Sequence, residues 1–190
     1  MKTEGRQFVH PIRDRKKIAK MKEYLMNQSH FRYFLFVFGI NTGINIKELC
    51  ALKVKDVRNK MEFSIAEGRN KRIRIISISQ SLKNEIDNYI RFMDDEEFLF
   101  ASKKLLKPIT RNYAWQIIKE AAQACGVKEQ VGSQTMRKTF AYHQYMNNKD
   151  ILRLKQILGY SDTRKALTYI GIDEETISKS IRKKSHGLKD

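Results

Sequence analysis

The segment from Gly132 to Ile170 decides the fold, because it combines predicted helices with two chemically distinctive side chains. Residues 132–143 read Gly-Ser-Gln-Thr-Met-Arg-Lys-Thr-Phe-Ala-Tyr-His, followed by Leu-Gly-Tyr-Ser at 158–161 and Leu-Thr-Tyr-Ile at 167–170. The arginine of the first part is Arg137 and the tyrosine of the last part is Tyr169. Apolar residues at helical spacing predict helices over 133–146, 149–158, 164–169 and 174–182.

Further upstream, apolar residues again return every three or four positions. Ser29 and Thr110 precede two of these stretches and are suited to cap helices, because their side-chain oxygens can accept from free backbone N–H groups. The apolar run 31–40 is about ten residues long, too short for a membrane span and suited to a buried helix that ends at Gly43. Trp115 is predicted to be a core residue. The predicted helices cover 13–27, 31–40, 46–52, 80–92 and 110–126.

The periodicity changes to two in the middle of the chain. Apolar and polar residues alternate over 61–66 and 72–79, and residues 67–71 (Glu-Gly-Arg-Asn-Lys) supply a turn. The pattern predicts a β-hairpin with a strongly basic tip, where Arg69, Lys71, Arg72 and Arg74 fall within six positions. The predicted fold class is α+β, mostly α, with a small antiparallel sheet.

The charge of the chain predicts a polyanionic partner. Thirty-eight Lys and Arg oppose twenty-one Asp and Glu, which gives a formal net charge of +17. Such a charge on a small domain favours nucleic acid, because cationic side chains release counterions from phosphates. RNA and anionic membranes remain alternatives at this point, although no long amphipathic basic helix stands out.

The length and composition predict a single cytoplasmic unit. The predicted boundaries are a flexible lead-in at 1–12, a folded domain at 13–172 and a basic tail helix at 173–190. Cys50 and Cys125 lack CxxC spacing, which favours a reduced intracellular compartment. The four histidines form no i, i+3 or i, i+4 pairs, so no metal and no cofactor are predicted.

Four motifs in order give the chain a clear resemblance to one family. The segment Thr42-Gly-Ile-Asn45, the basic hairpin, Gln134-Thr-Met-Arg137 and Leu158-Gly-Tyr160, with Tyr169 eleven residues after Leu158, resemble the catalytic domain of tyrosine recombinases, the phage integrase family. The resemblance covers roughly residues 10–175. It implies the fold of that catalytic domain, double-stranded DNA as the partner, and a prokaryotic, phage or mobile-element origin.

The resemblance also implies site residues, carried over one position at a time. In the family, two arginines and a hairpin lysine surround the scissile phosphate, and a tyrosine attacks it to form a 3′-phosphotyrosyl bond. The tyrosine corresponds to Tyr169, the second arginine to Arg137, and the lysine to Arg69, with Lys71 close enough to leave the register open. The residues that this assigns to DNA binding are Arg69, Lys71, Arg72, Arg137 and Lys138.

Three positions depart from the family pattern. Asn45 stands where the family carries arginine, Gln134 where it carries histidine, and Tyr160 where it carries histidine or tryptophan. Asparagine cannot make a bidentate clamp on phosphate, and an arginine acting on a transferring phosphoryl group is worth ~10³–10⁵ in rate. Arg69 is also a poor proton donor at neutral pH. The sequence therefore predicts a degenerate active site with phosphate binding retained.

Three functions follow from these observations. The first is a catalytically impaired DNA-binding protein that acts as regulator or accessory factor in DNA integration or recombination. The second is an active site-specific recombinase that uses Tyr169. The third is a helix-turn-helix repressor, against which the hairpin weighs. Family members usually carry an N-terminal core-binding domain, which about fifteen residues cannot form, and the tail resembles a helix that docks on a neighbouring protomer to give a homo-oligomer on DNA.

Overall fold

The computed structural model describes residues 8–68, 71–102 and 106–172, and the chain divides into two compact units, Met1–Phe140 and Ala141–Asp190. The boundary falls within helix α6. The elements, in order, are α1 Arg15–Gln28, α2 His30–Thr42, α3 Ile46–Ala51, a 3-10 turn Val54–Asp56, β1 Glu62–Glu67, β2 Arg72–Ser77, α4 Gln80–Tyr89, α5 Arg111–Ala124, α6 Thr135–Asn148, α7 Ile151–Leu158 and α8 Thr163–Tyr169. The fold is mostly helical with a small antiparallel sheet, as predicted.

Local side-chain chemistry fixes the helix ends of the first unit. The Ser29 hydroxyl accepts from the Arg32 N–H at 3.2 Å, and the Thr110 hydroxyl accepts from the Tyr113 N–H at 3.1 Å, which confirms both predicted caps. Helix α2 ends at Gly43, whose φ of 60° lies in the left-handed region that glycine enters without steric cost. This glycine begins the loop that leads to Asn45.

Aromatic rings from α2 form the centre of the first unit. The side chains of Phe34, Phe36 and Phe38 are fully buried, so the apolar run in this part of the chain is the buried helix that the sequence predicts. The Phe34 ring stacks on Tyr89 of α4 with centroids 4.1 Å apart, and on Phe100 at 5.7 Å. This packing holds α2 rigidly beneath the loop at its C-terminus.

The first strand of the hairpin lies one residue further along the chain than predicted. Strand β1 pairs antiparallel with β2, from Glu62 opposite Ser77 to Glu67 opposite Arg72. The prediction that Glu67 belongs to the turn is wrong, because it is the last paired residue of β1. Its side chain points to the core on the same face as Phe63 and Ile65. Such alternation is what a period of two requires.

The first residues that the structure describes are packed rather than loose. Ile12 is fully buried, and its N–H donates to the Thr139 hydroxyl at 2.9 Å. The His10 N–H donates to the Gln130 carbonyl at 3.0 Å. The packed chain therefore begins before Arg13, although the predicted lead-in extends to residue 12. Residues 1–7 and the predicted tail at 173–190 lie outside the described residues.

The second unit contains α7 and α8, which pack around a small apolar centre. Asp150 and Asp162 cap the two helices by accepting from backbone N–H groups at 2.9 and 2.7 Å. The fully or nearly fully buried residues of this unit are Ala141, Leu154, Ala166, Leu167 and Ile170. Among the residues described in either unit, no helix has the length and apolar character needed to cross a membrane.

Candidate active site

A buried ion pair joins α6 to the end of β1. The Arg137 Nη1 donates to Glu67 Oε1 at 2.7 Å, and its Nη2 donates to Glu67 Oε2 at 3.0 Å. The Arg137 Nη1 also donates to the Gly43 carbonyl at 2.7 Å. Arg137 and Glu67 are each 6% exposed. Two parallel N–H···O bonds to a carboxylate have the geometry with which arginine also grips phosphate.

A second arginine completes this cluster. The Arg74 Nε lies 3.2 Å from Glu67 Oε1, close enough for an ion pair although not aligned for a hydrogen bond. The Arg74 Nη2 donates to the Thr42 carbonyl at 3.0 Å. Burial lowers the pKa of Arg74 to about 10, against the opposing influence of the Glu67 carboxylate. The cluster of Arg137, Glu67 and Arg74 therefore holds two cations and one anion away from water.

The two arginines fix the loop between α2 and α3. Their hydrogen bonds end on consecutive carbonyls, those of Thr42 and Gly43, two residues before Asn45. Buried hydrogen bonds from charged donors are among the stronger ones in proteins. The cluster therefore holds the backbone just before Asn45, the residue that precedes α3.

A cavity of about 780 Å³ lies beside this loop and brings two of the substituted positions together. Asn45 and Gln134 both line it, although 89 positions separate them in the sequence. The cavity is lined by Val9, Asn45, Ile46, Lys47, Glu48, Arg111, Asn112, Trp115, Gln130, Val131, Gly132, Ser133 and Gln134. Its walls combine cations, amides and one carboxylate, which suits a polar or charged ligand.

Two buried polar atoms on the cavity wall, Glu48 Oε2 and Trp115 Nε1, have no hydrogen-bond partner among the residues that the structure describes. The great majority of buried polar atoms in proteins are hydrogen-bonded, so two unpaired ones in a single cavity require an explanation. The prediction that Trp115 is a core residue is correct only in part. Its ring packs against the core, but the residue is half-buried and lines the cavity.

The second unit holds the other two aromatic candidates side by side. Tyr169 is the last residue of α8, and its ring centroid lies 5.7 Å from that of Tyr160, with the planes tilted by 58°. Both residues are half-buried. Tyr160, for which the family resemblance leads one to expect histidine or tryptophan, thus packs directly on the predicted nucleophile.

The remaining predicted DNA contacts lie in contrasting environments. Lys71 and Arg72 are exposed at the start of β2, whereas Arg69 lies outside the described residues. Lys138 is 5% exposed, and its Nζ lies 3.6 Å from the centroid of the Phe8 ring. Burial lowers the pKa of Lys138 to about 8. The DNA contacts of these residues stay predictions.

Sequence reasoning missed three residues of this region, Glu67, Glu48 and Arg111, and misplaced Arg74. Arg74 was grouped with the basic hairpin tip, but the structure buries it on the inner face of β2. A strict period of two starting from Phe63 already directs Glu67 inward, so that signal was present. The cavity positions of Glu48 and Arg111 depend on the packing of α3 against α5, which no local pattern reveals.

The fold is that of tyrosine recombinase catalytic domains. The crystal structure of XerA recombinase superposes with a TM-score of 0.73 at 19% identity, covering 92% of this chain and 65% of that one. The catalytic domain of bacteriophage HP1 integrase gives a TM-score of 0.64 at 19% identity, covering 91% of this chain and 94% of that one. At these identities the likeness concerns the fold alone.

Sequence comparison makes the family explicit. The Phage integrase family model matches residues 10–176. The probable integrase/recombinase YoeC of Bacillus subtilis (strain 168) is 46% identical over 169 residues, which cover 89% of this chain and 93% of that protein. The tyrosine recombinase XerA of Pyrococcus furiosus is 30% identical over 156 residues, 78% of this chain and 52% of that protein. The chain belongs to the phage integrase family, and it spans about half the length of the Xer relatives it matches.

Proposed function

We propose that this protein binds double-stranded DNA through its recombinase fold, cleaves it poorly, and acts as a regulator or accessory factor in DNA integration or recombination. In this proposal the main activity of the protein is DNA binding, and cleavage is minor. Its net charge of +17 supplies the attraction for the phosphate backbone. The predicted homo-oligomer on DNA belongs to the same proposal and involves residues 173–190, which lie outside the described part of the chain.

The cavity beside Asn45 carries the proposal. Transfer of a phosphoryl group to tyrosine builds negative charge on the phosphate oxygens, and preorganised cationic donors stabilise that charge. Two residues at the family's catalytic positions line this cavity, and both carry neutral amides, those of Asn45 and Gln134. Amides still donate hydrogen bonds to a resting phosphate, but they supply no charge to the transition state. Binding therefore survives better than catalysis.

The Arg137–Glu67 ion pair also supports weak cleavage. A carboxylate already takes up two hydrogen bonds of the guanidinium that the family comparison assigns to the phosphate. A phosphate can reach Arg137 only through its remaining N–H groups or by displacing Glu67. Both routes weaken the electrostatic stabilisation that cleavage requires.

An active recombinase is the second candidate. Tyr169 retains the hydroxyl that such an enzyme needs, and relatives such as XerA of Pyrococcus furiosus are named tyrosine recombinases. In that reaction the Tyr169 oxygen attacks the phosphorus, a 3′-phosphotyrosyl bond forms, and the 5′-oxygen leaves with a proton. The residue at position 69 is an arginine, and a guanidinium is a poor source of that proton because it stays protonated at neutral pH.

A nicked suicide duplex separates the two candidates. We expect tight binding in a mobility-shift assay and no covalent protein–DNA adduct on denaturing gels. Adducts that appear with the unaltered protein and vanish in Tyr169→Phe establish the active recombinase instead. Adducts gained only by the triple variant Asn45→Arg, Gln134→His and Tyr160→His tie the defect to these positions.

The salt dependence of binding tests the DNA-binding part by itself. For duplex DNA, the logarithm of the association constant falls with the logarithm of salt concentration with a slope of about −0.9 per phosphate contact. Replacing the exposed pair Lys71 and Arg72 by alanine is expected to lower that slope by about 1–2. A flat salt dependence of the unaltered protein contradicts a phosphate-dominated interface.

A further inference from the structure

The cavity that lacks an arginine at position 45 contains an arginine from another element. Arg111 is the first residue of α5 and lines the same cavity as Asn45 and Gln134. The Thr110 cap fixes its backbone, because the Thr110 hydroxyl accepts from the Tyr113 N–H at 3.1 Å. Arg111 therefore lies at the cavity wall, with its guanidinium on a flexible side chain that extends from a capped helix end.

This guanidinium is available for a ligand. Arg111 is exposed, and it forms no ion pair with any residue that the structure describes. Its charge nevertheless acts on α3. Burial raises the pKa of the Cys50 thiol to about 11, and the positive charge of Arg111 opposes that rise. Arg111 is thus close enough to influence the helix that begins after Asn45.

The cavity also contains a carboxylate that calls for a cation. Glu48, three residues after Asn45, lies on α3, and its buried Oε2 has no hydrogen-bond partner within the described part of the chain. An arginine at position 45 could have neutralised the Glu48 carboxylate, whereas asparagine carries no charge. A buried carboxylate oxygen without a donor is costly, so a guanidinium entering the cavity relieves it.

We propose that Arg111 takes the place of the missing guanidinium at position 45, so that with DNA bound it enters the cavity, neutralises Glu48 and donates to a backbone phosphodiester beside Asn45 and Gln134. The proposal rests on the DNA binding proposed above and names the residue that performs it at this site. Arg111 acts here as a phosphate-binding residue.

The charges of the cavity fit this ligand. Arg111 and Lys47 contribute two positive charges and Glu48 one negative charge, so the lining carries a net +1 before DNA arrives. A phosphodiester carries a single negative charge. The amides of Asn45 and Gln134 add neutral donors, which orient the phosphate oxygens without adding charge.

A double-mutant cycle, measured as DNA affinity, tests whether Arg111 takes the place of an arginine at position 45. The probe is a short fluorescein-labelled duplex of mixed sequence, and the measurement is fluorescence anisotropy of the full chain. Arg111→Ala is expected to weaken binding about tenfold, since hydrogen bonds to charged groups have that magnitude. Asn45→Arg is then expected to restore most of the affinity in the Arg111→Ala background and to add little to the unaltered protein.

The control removes an arginine elsewhere. Arg91 follows α4, is exposed and does not line the cavity, so Arg91→Ala removes the same charge without touching the site. A loss in Arg111→Ala no larger than that in Arg91→Ala overturns the proposal. Equal gains from Asn45→Arg in both backgrounds also overturn it, because independent contacts add.

A second experiment changes Glu48. Without Arg111, the Glu48 carboxylate faces the incoming phosphate unneutralised. Glu48→Gln is therefore expected to improve binding more in the Arg111→Ala background than in the unaltered protein. The same improvement in both backgrounds means that Arg111 does not neutralise Glu48, and the proposal fails.

The single tryptophan of the chain reports on this cavity directly. Trp115 lines it, and its Nε1 has no partner there, so entry of DNA phosphate and Arg111 should alter its emission. We expect DNA to change the Trp115 fluorescence of the unaltered protein and to change it much less in Arg111→Ala at saturating DNA. DNA binding without any response of Trp115 overturns the inference and leaves the proposed function standing, whereas no binding at all removes both.

Discussion

The guanidinium of Arg137 and the carboxylate of Glu67 form a two-point ion pair inside the first unit, with N···O distances of 2.7 and 3.0 Å. This pair connects α6, which supplies Arg137, to the last residue of β1. It also reaches α2, because Arg137 donates to the carbonyl of Gly43. Three elements distant in sequence are therefore held together by one buried group of charges.

Glu67→Gln tests how much this cluster stabilises the fold. The change leaves Arg137 and Arg74 buried without a counter-charge, and removing one partner of a buried ion pair costs about 3–5 kcal/mol. We expect the free energy of unfolding from urea titration to fall by about that amount. The control is Glu120→Gln at an exposed carboxylate, whose pair with the half-buried Arg32 contributes about 0–1 kcal/mol. Equal losses in the two variants contradict a stabilising role of the buried pair.

Gly43→Ala tests whether the loop before Asn45 requires glycine. The φ of Gly43 is 60°, and a Cβ added there would overlap the Phe140 ring. Left-handed backbone costs about 1–2 kcal/mol for an L-residue, and overpacking adds about 1–3 kcal/mol. Gly68→Ala is the matched control, because Gly68 has a φ of 73° with open space around it.

The two glycine variants therefore differ only in the clash. We expect Gly68→Ala to lower the free energy of unfolding by about 1–2 kcal/mol and Gly43→Ala by roughly twice as much. A combined Gly43→Ala and Phe140→Ala variant, compared with Phe140→Ala alone, should show only the smaller backbone cost. Equal effects of the two glycine changes contradict a close approach of Phe140 to the loop.

The helices were predictable because their signals are local. Ser29 and Thr110 precede helices in the sequence and cap them in the structure. Gly43 ends α2 where the sequence breaks the apolar period. The prediction failed at Glu67, because a charged residue next to Gly68 was assigned to the turn. The guanidinium groups of Arg74 and of Arg137, which is 70 positions away, make an inward carboxylate favourable there.

The candidate site could be predicted only in part, at the positions that the family resemblance assigns. Asn45 and Gln134 were singled out as substituted positions, and one cavity contains both. Arg111 was passed over because an exposed arginine at a helix start has many ordinary explanations. The role proposed for Arg111 depends on the unpartnered Glu48 oxygen in the same cavity. Packing between helices brings these two residues to one cavity.

Lys138 gives a prediction about pH. Burial lowers the pKa of Lys138 to about 8, from an ordinary value of 10.5, so the folded state holds its proton less tightly than the unfolded chain. The unfolded chain then binds more protons between these two values, and stability contributed by this position rises with pH across that window. Below pH 8, the folded protein must accommodate a buried charged ammonium.

Lys138→Met is therefore expected to be more stable than the unaltered protein at pH 7, with the advantage shrinking as pH rises from about 8 to 10.5, the two pKa values. Urea titration at several pH values measures the difference. Lys138→Arg is the control, since its guanidinium keeps its charge throughout, and its stability relative to Met should stay constant. A pH-independent difference between the lysine and methionine proteins contradicts the lowered pKa.

Tyr160 gives the last prediction, which separates packing from chemistry at the predicted nucleophile. Its ring lies 5.7 Å from that of Tyr169, and such aromatic pairs contribute about 0.5–1.5 kcal/mol beyond their buried area. Tyr160→Phe retains the ring, so we expect the free energy of unfolding to stay close to that of the unaltered protein. Tyr160→Ala should lower the free energy of unfolding by more than the aromatic contribution alone, since it also opens space between the apolar residues of the second unit.

If the chain cleaves suicide DNA at all, Tyr160→Phe tests whether the Tyr160 hydroxyl contributes to cleavage. Unchanged cleavage with intact stability means that Tyr160 only supports the ring of Tyr169, whereas lost cleavage with intact stability assigns its hydroxyl a part in the reaction.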